Sequence, residues 1–525
     1  MAQTKLTRRE LLKMAGGAAT ASAIAPFGGV TASNGGNEDA MGGTEKPNIV
    51  LIMADDMGWS DAGCYGGEIE TPHLDALAAE GLRCSQFCVN AVCVPTRASL
   101  MTGLYCWADE RNTRLSQNRV TVAQLLRSAG YRTSISGKWN VPVQGSPLDW
   151  GFDEYYGFGD IPSNYFNPAL RDLKFGGFRP PVMHNDEVVS EFPEDYYLTD
   201  AINDHAVETI KRFATQGDPF FAYVAHLTPH SPLQAKREDV EKYRGKFMDG
   251  WEELRRRRYE RQLDMGLLNS ETRLPENVPD LPSWASEEYK EWQDLRMAIY
   301  AGMIDCMDQG IGRILQALRD CGADRNTIVL FLSDNGGDGH ERADRDNPDI
   351  VPGGIDTYCS PGPGWGSLHN TPMRDFKESL YEGGITSPLI VRWPGVTMNG
   401  GAITHEFGHV MDILPTLCDA AGVEYPQEFD GHDLDPCEGQ SLLPVFHGNR
   451  REGHDWLFWA LREDRAVRRG NWKSVGRGNP DDMNNWELYD LERDRTESTD
   501  LAKENPEVLT QMVDAWRRWL ERMDS

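Results

Sequence analysis

The stretch NIVLIMADDMG, Asn48 to Gly58, opens with an unbroken apolar run, Ile49 to Met53, and ends in two acids and a glycine. A run this short and apolar throughout predicts a strand buried on both faces, as in the middle of a parallel sheet. Much later RNTIVLFLSDNGGDG, Arg325 to Gly339, repeats the design. Ile328 to Leu332 are apolar, and Asp334, Asn335 and two glycines follow. Buried strands ending in acids and glycines mark the carboxyl edge of a parallel α/β sheet, where ligand sites form. The fold expected is therefore α/β.

Between the two strands lie candidate amphipathic helices, among them TPHLDALAAEGL (71–82) and RVTVAQLLRSAGYRT (119–133), each with a glycine near its C-terminus. KREDVEKYRGKFMDGWEELRRRRYERQLDMGLL (236–268) has helical periodicity and dense charge, which predicts a solvated helical excursion over the core. HVMDILPTLCDAAG, from His409, reads as a core helix despite its proline. From about Trp456 the texture changes to short alternating strands, and NPEVLTQMVDAWRRWLERM (505–523) closes with an amphipathic helix. This predicts a small C-terminal α+β subdomain with an antiparallel sheet.

The chain has 525 residues, enough for one large domain and a smaller one. It begins MAQTKLTRRELLKMAGGAAT, where Arg8 and Arg9 precede a weakly apolar Ala/Gly stretch. That is a twin-arginine export pattern, which predicts the twin-arginine translocase as a partner and a periplasmic or secreted protein. The expected divisions are a signal peptide at 1–33, a linker at 34–46, a catalytic domain at 47–445 and a C-terminal subdomain at 446–525. No later segment has the ~18 consecutive apolar residues of a membrane span. The formal charge is −29, a surface that disfavours nucleic acid and anionic lipid. Any anionic substrate then needs a locally positive pocket. Of the ten cysteines some could pair after export, but there is no CxxC and no zinc-type Cys/His spacing.

Asp55, Asp56, Asp334 and Asn335 are hard oxygen ligands at two strand ends. Three carboxylates this close repel one another without a cation, and an all-oxygen set favours Ca²⁺ or Mg²⁺ over zinc. Cys93 lies in AVCVPTRASLMTG, Ala91 to Gly103. A disulfide is the usual fate of an exported cysteine, and a thiol nucleophile needs a histidine base that is not near in sequence. The pattern Cys93-x-Pro95-x-Arg97, followed by Thr102-Gly103, points elsewhere.

That pattern resembles the active-site motif of the type I sulfatases, arylsulfatase-like members of the alkaline phosphatase superfamily. The resemblance extends along nearly the whole mature chain, through NIVLIMADDMG, SGKW, GFDEYYGF, TPHSPLQA, LFLSDNGG, FKESLYEGGITSPLIVRWPG, DILPTLCDAAG and ELYDLERDRTESTDLA in the family's order. It implies a large alkaline-phosphatase-like domain with a mixed, mostly parallel sheet. It also implies that a formylglycine-generating enzyme converts Cys93 to an aldehyde before folding. The hydrated aldehyde is a geminal diol. One hydroxyl attacks sulfur and releases the alcohol, and the second collapses to the aldehyde and expels sulfate, an exit that serine and thiol lack.

By matching motif, the resemblance assigns Asp55, Asp56, Asp334 and Asn335, with modified Cys93, to one Ca²⁺ in preference to Mg²⁺. Arg97 orients the diol. Lys138 and Lys377 neutralise sulfate and leaving-group charge, and His230 is the acid to the leaving oxygen; His226 is a possible substrate contact. Two positions depart from the pattern. Where the family carries GKWH, this chain has Gly137-Lys138-Trp139-Asn140, and asparagine cannot serve as the base that helps release sulfate. The segment LYCWADERN (104–112) also lacks a usual histidine and glycine. His184, His226 and His369 are candidates to replace the missing base.

The expected function is calcium-dependent release of sulfate from an organic ester, a sulfated carbohydrate or an aryl sulfate. The alternatives are a phosphomonoesterase or phosphonate hydrolase of the same superfamily, and a non-catalytic binder of sulfated glycans. Substrate specificity is expected in loops near 150–200, 340–370 and 430–450.

Overall fold

The computed structural model describes residues 46–524, except 107–113, 173, 175, 276–280, 342–346 and 398–399. The expected signal peptide, most of the linker and much of the 104–112 segment lie outside the described residues. An 11-stranded sheet organises the rest. Its parallel centre runs in the order β8 (Thr327–Ser333), β1 (Asn48–Asp55), β7 (Phe220–Pro229), β3 (Arg132–Lys138) and β4 (Glu154–Phe158). Antiparallel β9 (Thr386–Arg392) and β2 (Leu82–Cys88) extend one side, with β10 (Ala402–Thr404) and β11 (Gly408–His409) beyond. Antiparallel β5 (Val182–His184) and β6 (Glu187–Val189) extend the other. The sheet is mixed and mostly parallel, as expected.

The central strands read as continuous apolar runs because both faces are covered. In β1, Val50 and Ile52 face one core with Val224 and Phe331. Ile49, Leu51 and Met53 face the other with Tyr223 and Leu330. Helices α1 (Pro72–Glu80), α4 (Leu198–Gln216) and α6 (Lys290–Asp320) cover the first face. Helices α2 (Cys93–Thr102), α3 (Val122–Ser128) and α7 (Ile413–Ala421) cover the second.

Two expected helices differ. The segment from His409 is first β11 and a 3-10 turn, and the α-helix begins only at Ile413. Pro415 then sits in the first turn, where its missing N–H costs nothing. The charged stretch 236–268 is not one solvated helix. It breaks at Gly245 and Gly250 into a short turn of helix and α5 (Trp251–Met265), and α5 buries Trp251, Leu254, Arg255, Arg258 and Gln262. No helix among the described residues is long and apolar enough to cross a membrane.

After the small hairpin β12 (Glu428–Phe429) and β13 (His432–Asp433), a four-stranded antiparallel sheet forms from β14 (Leu457–Leu461), β15 (Asp464–Arg469), β16 (Trp472–Gly476) and β17 (Trp486–Asp490). Helix α8 (Pro506–Asp524) packs Met512, Val513, Trp516 and Trp519 onto it. This subdomain shares a core with Leu380, Tyr381 and Ile385 of the large domain. A buried triad adds a polar tie. Lys473 Nζ lies 2.9 Å from Glu382 Oε1 and 2.8 Å from Glu497 Oε1, and all three side chains are buried. Lys473→Met would remove the only ion-pair partner of Glu497 among the described residues and leave Glu382 with only the more distant Arg495 at 3.9 Å. The expected loss is about 3–5 kcal/mol, read as a lower urea midpoint at unchanged m; a loss under about 1 kcal/mol would show that the triad does not join the two parts.

Candidate active site

β1 and β8 run parallel in register from Asn48↔Thr327 to Ala54↔Ser333. The next residues, Asp55 and Asp334, therefore leave the sheet side by side. Asp56 has φ 65, the left-handed conformation that asparagine and aspartate tolerate best after glycine. Its N–H donates to Asp334 Oδ1 at 3.3 Å, and Asn335 Nδ2 donates to Asp56 Oδ1 at 2.7 Å. Gly336 lets the second loop come close, since a Cβ there would collide with Gly383 O.

Cations from three other elements converge on these acids. Arg97 projects from α2, one turn beyond Cys93, and donates to Asp334 Oδ2 through Nε at 3.1 Å and Nη2 at 2.9 Å. Its Nη1 donates to Lys138 O at 3.0 Å, fixing the end of β3. Lys138 Nζ reaches Asp55 Oδ2 at 2.5 Å. Gly137 just before it has φ 115, and a side chain there would strike Ala225 O on β7. Lys377 Nζ lies 2.7 Å from Asp56 Oδ1. His230, in the turn after β7, places Nε2 3.6 Å from Asp56 Oδ2. Its Nδ1 faces Ser231 O at 2.6 Å. A carbonyl only accepts, so Nδ1 carries the hydrogen, and Nε2 has a proton to give only in the imidazolium.

Cys93 begins α2 within electrostatic reach of Lys138, Lys377, Asp55 and Asp334; burial raises its thiol pKa. The sulfur forms no disulfide, and none of the other nine cysteines does. Burial opposes charge at both neighbouring acids. At Asp55 the cations Lys138, His230, Arg97 and Lys377 overcome it and the pKa falls. At Asp334 burial and the adjacent Asp55 charge prevail and push it up to about 7.

The donor set fits a hard divalent cation. Asp55 Oδ1 and Asn335 Oδ1 are buried oxygens without a hydrogen-bond partner, although buried acceptors are ordinarily satisfied. Asp55, Asp56 and His230 also offer ligand atoms within 4.8 Å of one another. The residues that would hold the cation are thus Asp55, Asp56, Asp334 and Asn335.

Of the three histidines considered as replacement bases, two make other contacts and one is buried without a partner. His226 is buried, with neither ring nitrogen partnered, and burial lowers its pKa to about 3. His184 is exposed at the end of β5, against Tyr156 and His205. His369 stacks on Tyr300 and holds Asp61 Oδ1 at 3.0 Å. Asn140 occupies the departed histidine's position with φ 46 and its buried Oδ1 unpartnered.

A second layer was invisible to motif reading. Asp61 accepts from Gly58 N at 2.9 Å, Tyr300 OH at 2.7 Å and Arg258 Nη1 at 2.8 Å, and Tyr300 OH also reaches Asp56 O at 3.3 Å. The network holds the Asp56 backbone from behind. Its only sequence signal is an unassigned acid three residues past Gly58. Asp338 is a second omission. It is buried, accepts from His340 at 2.6 Å, and feels the charge of Lys377.

A sulfatase family model matches residues 47–423, and a model described as N-sulphoglucosamine sulphohydrolase, C-terminal, matches 375–523. The chain belongs to the sulfatase family. An uncharacterized sulfatase of Schizosaccharomyces pombe is 32% identical over 527 residues, spanning 90% of this chain and 93% of the relative. An arylsulfatase of Klebsiella aerogenes is 32% identical over 431 residues, spanning 76% and 92%. The solved structure of Ps i-CgsB in complex with k-i-k-neocarrahexaose aligns with a TM-score of 0.65 at 27% identity, covering 90% of this chain and 93% of that one. This sulfatase is accordingly a sulfuric ester hydrolase with the fold of its family.

Calcium is expected to raise the melting temperature of chelator-treated sulfatase, by the equivalent of about 2.7 kcal/mol at 100 times Kd. Asp334→Ala is expected to abolish the rise. An equal rise in both proteins would put the cation elsewhere.

Proposed function

We propose that this sulfatase is exported by the twin-arginine route and removes sulfate from a sulfated carbohydrate, using formylglycine made from Cys93 and one Ca²⁺. The observation that carries the reading is the convergence of Cys93 with two carboxylate strand ends and with Arg97, Lys138, His230 and Lys377. No simple thiol site needs that much fixed charge. The carbohydrate substrate is supported by the alignment with Ps i-CgsB, which was solved with k-i-k-neocarrahexaose.

The hydrated aldehyde supplies a geminal diol in place of a thiol, and the bound cation supplies Lewis acidity toward diol and sulfate oxygens. The protein's own groups divide the rest. Arg97, anchored on Asp334 and the Lys138 carbonyl, fixes the first turn of α2 and hence the direction of residue 93. Lys138 and Lys377 are preorganised cations for the sulfate oxygens. They form the locally positive pocket that a chain of charge −29 requires. His230 faces Asp56 through Nε2 at 3.6 Å; burial lowers its pKa against the pull of Asp56, and in its protonated form it gives the Nε2 proton to the leaving oxygen. Asn140 can hydrogen-bond a hydroxyl but cannot take its proton.

The test is a screen of sulfated monosaccharides and desalted polysaccharides for sulfate release, with protein co-expressed with a formylglycine-generating enzyme. The peptide containing residue 93 is expected to have the mass of the aldehyde, and Cys93→Ala to release no sulfate. Full activity with an intact thiol at residue 93 would overturn the reading. Asn140→His is expected to raise kcat about 10²-fold if proton removal limits sulfate release; an unchanged kcat would show that another group already serves.

A further inference from the structure

A second cationic cavity, of ≈ 500 Å³, lies between α5, the segment before Lys377 and the C-terminal subdomain. Three guanidinium groups line it: Arg255, Arg374 and Arg477. Arg374 is held in place, donating to Tyr489 OH at 2.9 Å and Glu497 O at 3.2 Å and lying 3.8 Å from the Tyr381 ring centroid. Arg477 is more exposed, with Asp375 at 3.7 Å. The other acid in the lining, Glu497, is already engaged by Lys473 and by Glu382 N.

Arg255 is the anomaly. It is 5% exposed, yet makes no ion pair or hydrogen bond among the described residues, and its Nε is buried without a partner. The acid one turn earlier, Glu252, accepts from Trp284 N instead. Burial pulls the guanidinium down to about 10. The comparably buried Arg97, Arg258 and Lys473 all contact carboxylates. A buried, unpaired arginine facing a cavity is a desolvated charge awaiting an anion.

We propose that this cavity is a second oxyanion site, which takes sulfate or a sugar-borne sulfo group on Arg255, Arg374 and Arg477, apart from the nucleophile. A volume of this size accommodates a sugar ring as well as its sulfo group. Phe376 lines the wall, and the next residue, Lys377, reaches Asp56. One segment therefore borders both sites.

Radiolabelled inorganic sulfate is the probe, measured by equilibrium dialysis on the full chain at constant ionic strength. The wild type is expected to bind one equivalent more than Arg255→Gln. Arg477→Gln, at a more exposed position, is expected to weaken that same equivalent about tenfold, the loss of one charge-assisted hydrogen bond. Equal stoichiometry and affinity in all three proteins overturns the proposal. Two kinetic arms separate the sources. If the ligand is released sulfate, its inhibition of aryl sulfate turnover changes from mixed to competitive in Arg255→Gln. If the ligand is a sulfo group on the substrate, Arg255→Gln raises KM about tenfold for a disulfated oligosaccharide and leaves kcat/KM for a monosulfated aryl ester unchanged. The dialysis requires no turnover, so its outcome stands whether or not the formylglycine reading holds.

Discussion

Three buried carboxylates, Asp55, Asp56 and Asp334, share one small volume, and the surrounding structure is arranged around that repulsion. Parallel register makes the crowding unavoidable, because β1 and β8 end at the same level. Relief comes from α2, from β3 and from the loop at Lys377, each delivering one cation. The buried oxygens still unpartnered on Asp55 and Asn335 mark where a divalent ion completes the balance. At ordinary protein dielectric a single misplaced charge here would outweigh several surface ion pairs.

The C-terminal subdomain belongs to the same electrostatic scheme. Lys377 lies on an irregular segment without a helix or strand of its own to hold it. The segment is held from the far side by Arg374 on Tyr489 and by Glu382 in the Lys473–Glu497 triad. The antiparallel sheet thus positions a residue of the active site without contributing a side chain to it. The antiparallel sheet and the segment before it accordingly share one apolar core. A hinge between them would let Lys377 move relative to Asp56.

The departure at Asn140 removes a group that could move a proton and leaves the cluster of fixed cations intact. Arg97, Lys138 and Lys377 converge on the acids at the strand ends, whereas His184 lies exposed at the end of β5, His226 is buried and His369 belongs to the second layer. Asp338 and His340 stand beside Lys377 and extend the polar surface at the end of β8.

Local pattern was enough for the central strands and for picking out residues that the fold brings together at one sheet edge. Apolar runs ending in Asp-Asp and Asp-Asn already state that two buried strands stop at one edge, and the Cys93 motif carries the resemblance to the sulfatase family. Periodicity failed where tertiary burial overrode it. The charge density of α5 points to solvent, yet Arg258 turns inward to meet Asp61, some two hundred residues earlier in the chain. The helix at Ile413 started late because β11 first pairs with β2. Only the folded chain could pair Lys473 with two distant glutamates or leave Arg255 buried and alone. Such pairings depend on which elements pack together, and charge composition does not record that. The sequence alone determined the mostly parallel sheet and the family, since each is written in short runs of adjacent residues. The tertiary structure decided which buried charges are balanced, because compensation is a matter of distance in space.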